Sequence, residues 1–270
     1  MKPSRLTVRT IACVFMVAAL SHESPAAENA PPRELALSVQ DLTGLDGLRP
    51  VSGGVPLAAG AAPWGAAFVL TDEQGETVPC QSHVLTRWKD DTARWVLLDF
   101  QAAPPPAGTA RFSLRWSSHD EAPAPKLPVR AVDEANGILQ GGTMRLGPAE
   151  DGVLCVGDRL DARLTLIDGA GRRCRGVVES RAVEAGGPVR GTVLLRGAFR
   201  APDESRVLGF RLRASAFAGS SRVLLEPHLL VDADSGVIHR LRGLSLEIVP
   251  RSPLKGVRLG GGSKEISGAS

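Results

Sequence analysis

The chain has 270 residues, a formal charge of +3, 43% apolar and 4% aromatic residues, and no tyrosine. That length suits one large β domain or two ordinary ones, and so small a charge gives no electrostatic reason for nucleic acid or an anionic membrane to be the main partner. With 30 glycines, 20 prolines and no long apolar stripe of helical period, the expected class is all-β.

Taken from the N-terminus, Lys2, Arg5 and Arg9 precede an apolar run from Ile11 to Leu20, and small residues stand at Ser24, Ala26 and Ala27. This pattern predicts a signal peptide over residues 1–27 and an exported protein, periplasmic or extracellular. The run is too short to span a bilayer, and no later segment approaches 18 continuous apolar residues, so no membrane span is expected. Cleavage removes three basic residues and one acidic residue, taking the charge from +3 to +1.

Residues 30–128 read as short strands separated by turn signals. "ELALSV" alternates, "SGGVPLAAGAAP" reads as a Gly/Pro loop, and "WGAAFVL" is an apolar strand ending at "TDEQGE", where Asp72 and Gly75 fit a hairpin turn. "TVPCQSHVLTRW" and "TARWVLLDFQA" flank the charged tip "KDD", and "TARFSLRW" alternates again. Strands this short and close predict a small barrel. A polar, Pro-rich linker, "SSHDEAPAPKLP", follows.

Longer strands come next, from "LDARLTLID" to "HRLRGLSLEIVP". Arg190, Thr192, Leu194 and Arg196 alternate with Val189, Gly191, Val193 and Leu195, the pattern of a sheet with one wet face. Residues 129–252 are therefore expected to form a large antiparallel β-sandwich, and residues 253–270, without a strand signal, a flexible tail.

Residues "HVLTRWKDDTARWVLLDF" set two tryptophans seven positions apart around a charged turn. Trp88 and Trp95 read first as packing anchors of a core hairpin. As a binding surface, their rings would stack on the apolar face of a pyranose, with Arg87 and Asp90 supplying hydrogen bonds. Trp64 and Trp116 complete the tryptophan set.

"GGVPLAAGAAP" followed by "DEQGETVPCQSHVLTRWKDDTARWVLLDFQA" resembles the N-terminal RIFT barrel of the YetA-like and exo-acting rhamnogalacturonan lyase-like proteins, polysaccharide lyase family 26. That family reads G-V-P-L-x-x-G and then R-W-x-D-G-S-x-x-W-x-L-x-D-F. Gly54, Val55, Pro56, Leu57, Gly60, Arg87, Trp88, Asp90, Trp95, Leu97, Asp99 and Phe100 match. Asp91 and Thr92 stand where the family has Gly-Ser, which implies a different turn type. "EAGGPVRGTVLLRGAF" and "FRLRASAFAGSSRVLLEPHLLVDA" are similar to the family's central sandwich.

The resemblance implies a RIFT-type barrel followed by a sandwich, action on acidic polysaccharide, and a helical toroid beyond. Nothing after Pro250 carries repeated amphipathic helices, so the chain is expected to be an N-terminal portion without a complete catalytic site. The other expectation is a non-catalytic carbohydrate-binding or scaffold protein.

A uronate lyase needs a base, a cation for the carboxylate and an acid for the leaving oxygen. His83 and His228 lie on predicted strands and His119 in the linker. His239 stands beside Arg240 and near Arg242, a basic cluster suited to a carboxylate. No nucleophile elbow, phosphate loop or zinc pattern occurs, no cofactor is expected, and the Asp90/Asp91 and Asp232/Asp234 pairs, the only Ca²⁺ candidates, fall in turns that favour Asp anyway. Export permits a disulfide, with Cys155 and Cys174 the expected pair and Cys80 left over.

Overall fold

The structure is a computed structural model describing residues 33–42, 47–117, 122–142, 144–232, 239–253, 257–261 and 264–268. The expected signal peptide, His119 and Asp234 lie outside the described residues. Every regular element among the described residues is a strand. The chain divides into two compact units, residues 1–123 with 254–270, and residues 124–253.

The first unit holds β1 (Glu34–Gln40), β2 (Arg49–Pro56), β3 (Ala67–Asp72), β4 (Thr77–Val78), β5 (Cys80–Arg87), β6 (Ala93–Ala102) and β7 (Thr109–Ser117). They form two antiparallel sheets, ordered β1-β7-β3-β4 and β2-β6-β5. A shared core fills the barrel between them, including Leu37, Val55, Leu70, Val96, Leu98, Phe100 and Leu114. Phe100 and Phe112 meet edge to face at 5.1 Å, a preferred aromatic geometry.

Alternation along β6 sends Val96, Leu98, Phe100 and Ala102 inward. The expected hairpin turn after β3 forms: Gly75, at φ 79°, donates its N–H to the Asp72 carbonyl, and the Asp72 carboxylate accepts from Gln74 and Glu76. The expected Gly/Pro loop begins later than its sequence indicates, because Ser52 to Pro56 belong to β2. That strand pairs only with β6, and an edge strand tolerates glycines and a terminal proline.

The second unit holds β8 (Val129–Asp133), β9 (Ile138–Gly141), β10 (Met144–Gly147), β11 (Leu154–Val156), β12 (Leu160–Asp168), β13 (Arg173–Gly186), β14 (Arg190–Arg200), β15 (Arg206–Phe217), β16 (Val223–Leu230) and β17 (Leu241–Pro250). All join one antiparallel sheet running from β16 through to β8 in reverse order. It folds back on itself as a sandwich around Leu139, Leu146, Leu154, Leu166, Leu195, Phe199, Leu208, Phe210 and Leu212.

β17 pairs with β12 along its whole length, so β11, opposite Leu160–Ala162, and β13, opposite Thr165–Ile167, divide the other edge. This arrangement rules out the expected disulfide. Cys155 lies opposite Asp161 and Cys174 opposite Leu166, about 16 Å apart along the strand at its ordinary rise and on opposite faces. A disulfide needs Cα atoms within roughly 7 Å. Cys80, Cys155 and Cys174 are free thiols.

The wet face expected on β14 is drier than its alternation implied. Thr192 and Leu194 are buried there, and the Thr192 hydroxyl pairs with that of Ser215 at 2.8 Å. The tail expected to lack strands contains β18 (Val257–Gly261) and β19 (Lys264–Gly268), paired antiparallel. Two connecting residues suffice for such a hairpin.

Candidate functional site

The tip of the β5–β6 hairpin is the most organised feature of the first unit. Trp88 N–H donates to the Thr92 carbonyl at 2.8 Å and Asp91 N–H to the Trp88 carbonyl at 3.1 Å, closing a three-residue loop. Asp91 has φ 60°, the left-handed conformation that ends such loops and that glycine usually fills. Asp91, at the position where the family pattern has glycine, thus takes a backbone conformation that glycine usually fills. Asp90 Oδ1 accepts from the Thr92 hydroxyl at 2.6 Å and from its N–H at 3.1 Å. Those bonds, the hydroxyl's foremost, hold the Asp90 carboxyl below the usual range. One oxygen of this predicted sugar ligand is therefore engaged in holding the turn.

The loop after β2 is laced to this hairpin. Leu57 N–H donates to the Arg94 carbonyl at 2.9 Å, Ala93 N–H to that of Ala62 at 2.8 Å, and Gly60 N–H to the Thr92 hydroxyl at 3.0 Å. Two indoles complete the lacing: Trp88 Nε1 donates to the Leu57 carbonyl at 2.9 Å and Trp116 Nε1 to that of Ala61 at 2.8 Å. Trp88 is half-buried, with the Arg94 guanidinium 4.5 Å above its ring. Its role is to brace the loop, as the core-anchor reading expects.

Trp95 behaves differently. It is 41% exposed and lies on the outer face of β6, opposite Pro56 of β2 and Thr86 of β5. Its ring rests against Gly54. The next position along the same face holds Leu97, flanked by Gly54 and His83. His83 lies on β5 and is exposed. Beyond it, Ser52, Asp99 and Gln81 stand in register as a polar row.

Trp64 is 43% exposed. The Arg87 guanidinium sits 3.9 Å from its ring centre and also donates to Asp91 Oδ1 at 3.2 Å. Cation–π contact thus fixes the side chain that the sequence marks as a ligand. Leu85, the extra residue where the β5–β6 register shifts, is half exposed. The sequence names Trp95, Arg87 and Trp64, and marks Gly54 only as part of the matched G-V-P-L-x-x-G pattern, not as the seat of an indole.

The remaining candidates lie in the second unit. His239 and Arg240 precede β17. The Arg240 Cβ stands 3.0 Å from where a side-chain carbon at Gly169 would lie, and Arg242 Nε donates to the Gly169 carbonyl at 3.1 Å. This basic cluster braces the turn after β12. His228 is exposed on β16. Asp232 accepts from Arg206 and from the Gly209 N–H at 2.8 Å, a structural role. A pocket of about 150 Å³ is lined by Arg145, Glu150, Cys155, Asp158 and Arg251, but Arg251 is committed to both oxygens of Asp161 at 2.9 Å. Among the described residues, no group of three His, Cys, Asp or Glu side chains is placed to hold a metal ion.

Residues 38–113 match the family model of the PcRGLX-like N-terminal RIFT barrel domain. The first unit contains a RIFT barrel. A protein in the glycosyl hydrolase family 38 from Enterococcus faecalis shares the fold at a TM-score of 0.55 and 10% identity, over 88% of this chain and 35% of its own. The chain thus spans about a third of that protein's length, and its sequence matches no curated protein. The RIFT barrel match includes the β2 glycines, the laced loop and the whole β5–β6 hairpin.

Proposed function

We propose that this is an exported, carbohydrate-active protein whose RIFT barrel holds acidic polysaccharide against the outer face of β6. The observation that carries the reading is Trp95, an indole seated on a glycine with its other side open to solvent. Such a ring offers the flat apolar surface that the C–H face of a pyranose covers, while His83, Ser52 and Gln81 supply polar groups along the same face and Asp99 between the last two is buried. The RIFT barrel match and the structural similarity to a protein in the glycosyl hydrolase family 38 support a carbohydrate ligand. The resemblance to rhamnogalacturonan lyase-like proteins supports an acidic one.

The decisive experiment is calorimetric titration of residues 28–270 with rhamnogalacturonan and polygalacturonate oligosaccharides, comparing wild type with Trp95→Ala. Binding lost in a folded Trp95→Ala protein is the expected result. Equal binding by both proteins rejects the Trp95 face. N-terminal sequencing of protein recovered outside the cytoplasm tests export, with a start near Glu28 expected.

Lyase chemistry is the second reading, motivated by the exposed His83 beside this face. Its test is the ultraviolet absorbance of unsaturated uronate products. Their absence at high enzyme concentration would make this chain a binding portion of the lyase-like protein.

A further inference from the structure

On the outer face of the second unit, Arg196 of β14 lies directly opposite Arg211 of β15, and Arg211 directly opposite His228 of β16. Ser180 of β13 extends the same row on the other side of Arg196. All four residues are exposed. Like charges facing one another across antiparallel strands destabilise the sheet, so a fold with no use for this row would gain by breaking it.

Neighbouring arginines show what the sheet does elsewhere. Arg213 chelates Glu184 at 2.6 and 2.8 Å, Arg206 chelates Asp232 at 3.1 and 2.6 Å, Arg200 reaches Glu179 at 3.2 Å, and Arg175 reaches Glu204 at 2.8 Å. Arg196 and Arg211 make no ion pair with any described residue. Glu184 feels the charge of Arg196, but its two oxygens are taken by Arg213. One step along the strands the facing positions are Ala198 and Gly209, and there the Asp232 carboxylate, already held by Arg206 and the Gly209 N–H, packs over Gly209 and bounds the row.

We infer that the Ser180–Arg196–Arg211–His228 row is a second glycan-binding surface, which takes an extended acidic polysaccharide laid across the strands. This rests on the acidic-polysaccharide reading above and adds a contact surface to it. Adjacent strands are about 4.8 Å apart, comparable to the advance of one pyranose unit along an extended glycan. Acid groups on neighbouring sugars can therefore meet cations on neighbouring strands, and each guanidinium can grip a carboxylate through two N–H groups. A single-stranded nucleic acid is the poorer match, because its binding surfaces interleave cations with aromatic stacking platforms, and this row contains none.

The test is titration of the full mature chain with polygalacturonate oligosaccharides and their methyl-esterified, neutral counterparts, comparing wild type, Arg196→Gln/Arg211→Gln and Trp95→Ala. The double variant should melt no lower than wild type and bind polygalacturonate about ten-fold more weakly, the scale of losing charge-assisted hydrogen bonds. It should lose much of the salt dependence of binding and leave the weak binding of the neutral ester unchanged. If it fails to fold, Arg211→Gln alone carries the same comparison. Polygalacturonate bound equally by wild type and the arginine variants overturns the row while leaving the Trp95 face standing. Equal affinity for oligothymidylate overturns the glycan assignment. Failure of wild type to bind any polyuronate overturns both.

Discussion

The indole of Trp95 lies over Gly54, its Cε3 atom 3.2 Å from where a side-chain carbon at that glycine would stand. A strand position that reads as part of a loop is thus the seat of the one hairpin tryptophan that faces solvent. Gly54→Ala should lift the ring and weaken oligosaccharide binding several-fold, with little change in melting temperature because the exposed indole can yield. Titration calorimetry and thermal melts of the same sample separate the two effects.

Trp88 and Trp95 should respond oppositely to truncation. Trp95→Ala should stay within about 1 kcal/mol of wild type in stability, as surface changes do. Trp88→Ala loses packing, the Arg94 contact and the bond to the Leu57 carbonyl, and should cost about 3 kcal/mol. Urea unfolding of the barrel measures both.

Asp91→Gly should stabilise the barrel. The native φ of 60° costs a non-glycine residue roughly 1 kcal/mol, more than the exposed Arg87–Asp91 pair, which is worth a few tenths of a kcal/mol. A melting temperature a few degrees higher is expected, and a fall would mean that the ion pair outweighs the backbone strain.

Gly197→Ala should be among the most damaging single substitutions. The added carbon would stand 2.0 Å from the Val177 carbonyl oxygen and 2.6 Å from the Phe210 ring, neither of which can retreat from the sandwich core. A loss of more than about 3 kcal/mol is expected, read by denaturant unfolding.

The thiols should titrate in order of exposure. Burial pushes Cys80 up to about 11, and burial also raises Cys174, so both should resist alkylation near neutrality. Cys155, half-buried at its pocket, is also pushed up by burial and should react slowly in the native protein, and all three should react on unfolding. Peptide mapping that found Cys155 linked to Cys174 would contradict the strand register.

Acid should weaken the second unit. Hydrogen bonds from Arg206 to Asp232, from Arg172 to Asp168 and from Arg213 to Glu184 lower all three carboxyls. Groups depressed in the folded state stabilise it above their unfolded values, about 4 for these types, and that contribution is lost as pH falls through the lower folded values. Melting temperature should hold from pH 7 to about 5 and decline below about 4, with a shallower decline in Asp232→Asn.

Local chemistry was legible wherever it repeats within a few residues. The β5–β6 hairpin follows from two alternating runs around Lys89–Asp91, and the turn at Asp72–Gly75 from its Asp and Gly. β8 to β11 escaped notice because strands of three to five residues show too little alternation to stand out. The division of roles between Trp88, which braces the loop, and Trp95, which faces solvent, escaped for a different reason. The register shift at Leu85 changes which residues face inward, and a bulge has no fixed sequence mark. The cysteine pairing failed because it depends on two strands sharing one edge of β12, a relationship among segments far apart in sequence.

That shared edge also bears on how the chain is made. β12 has β11 and β13 close to it in sequence, but its opposite edge waits for β17, and the ion pair that closes the seam joins Asp161 to Arg251 across 90 residues. Until β17 docks, a folding chain carries an unpaired strand rich in aliphatic residues, the kind of edge that invites pairing with another chain. A chaperone that holds unfolded chains, present in the compartment where folding finishes, should raise the yield of native protein most for variants that delay β17.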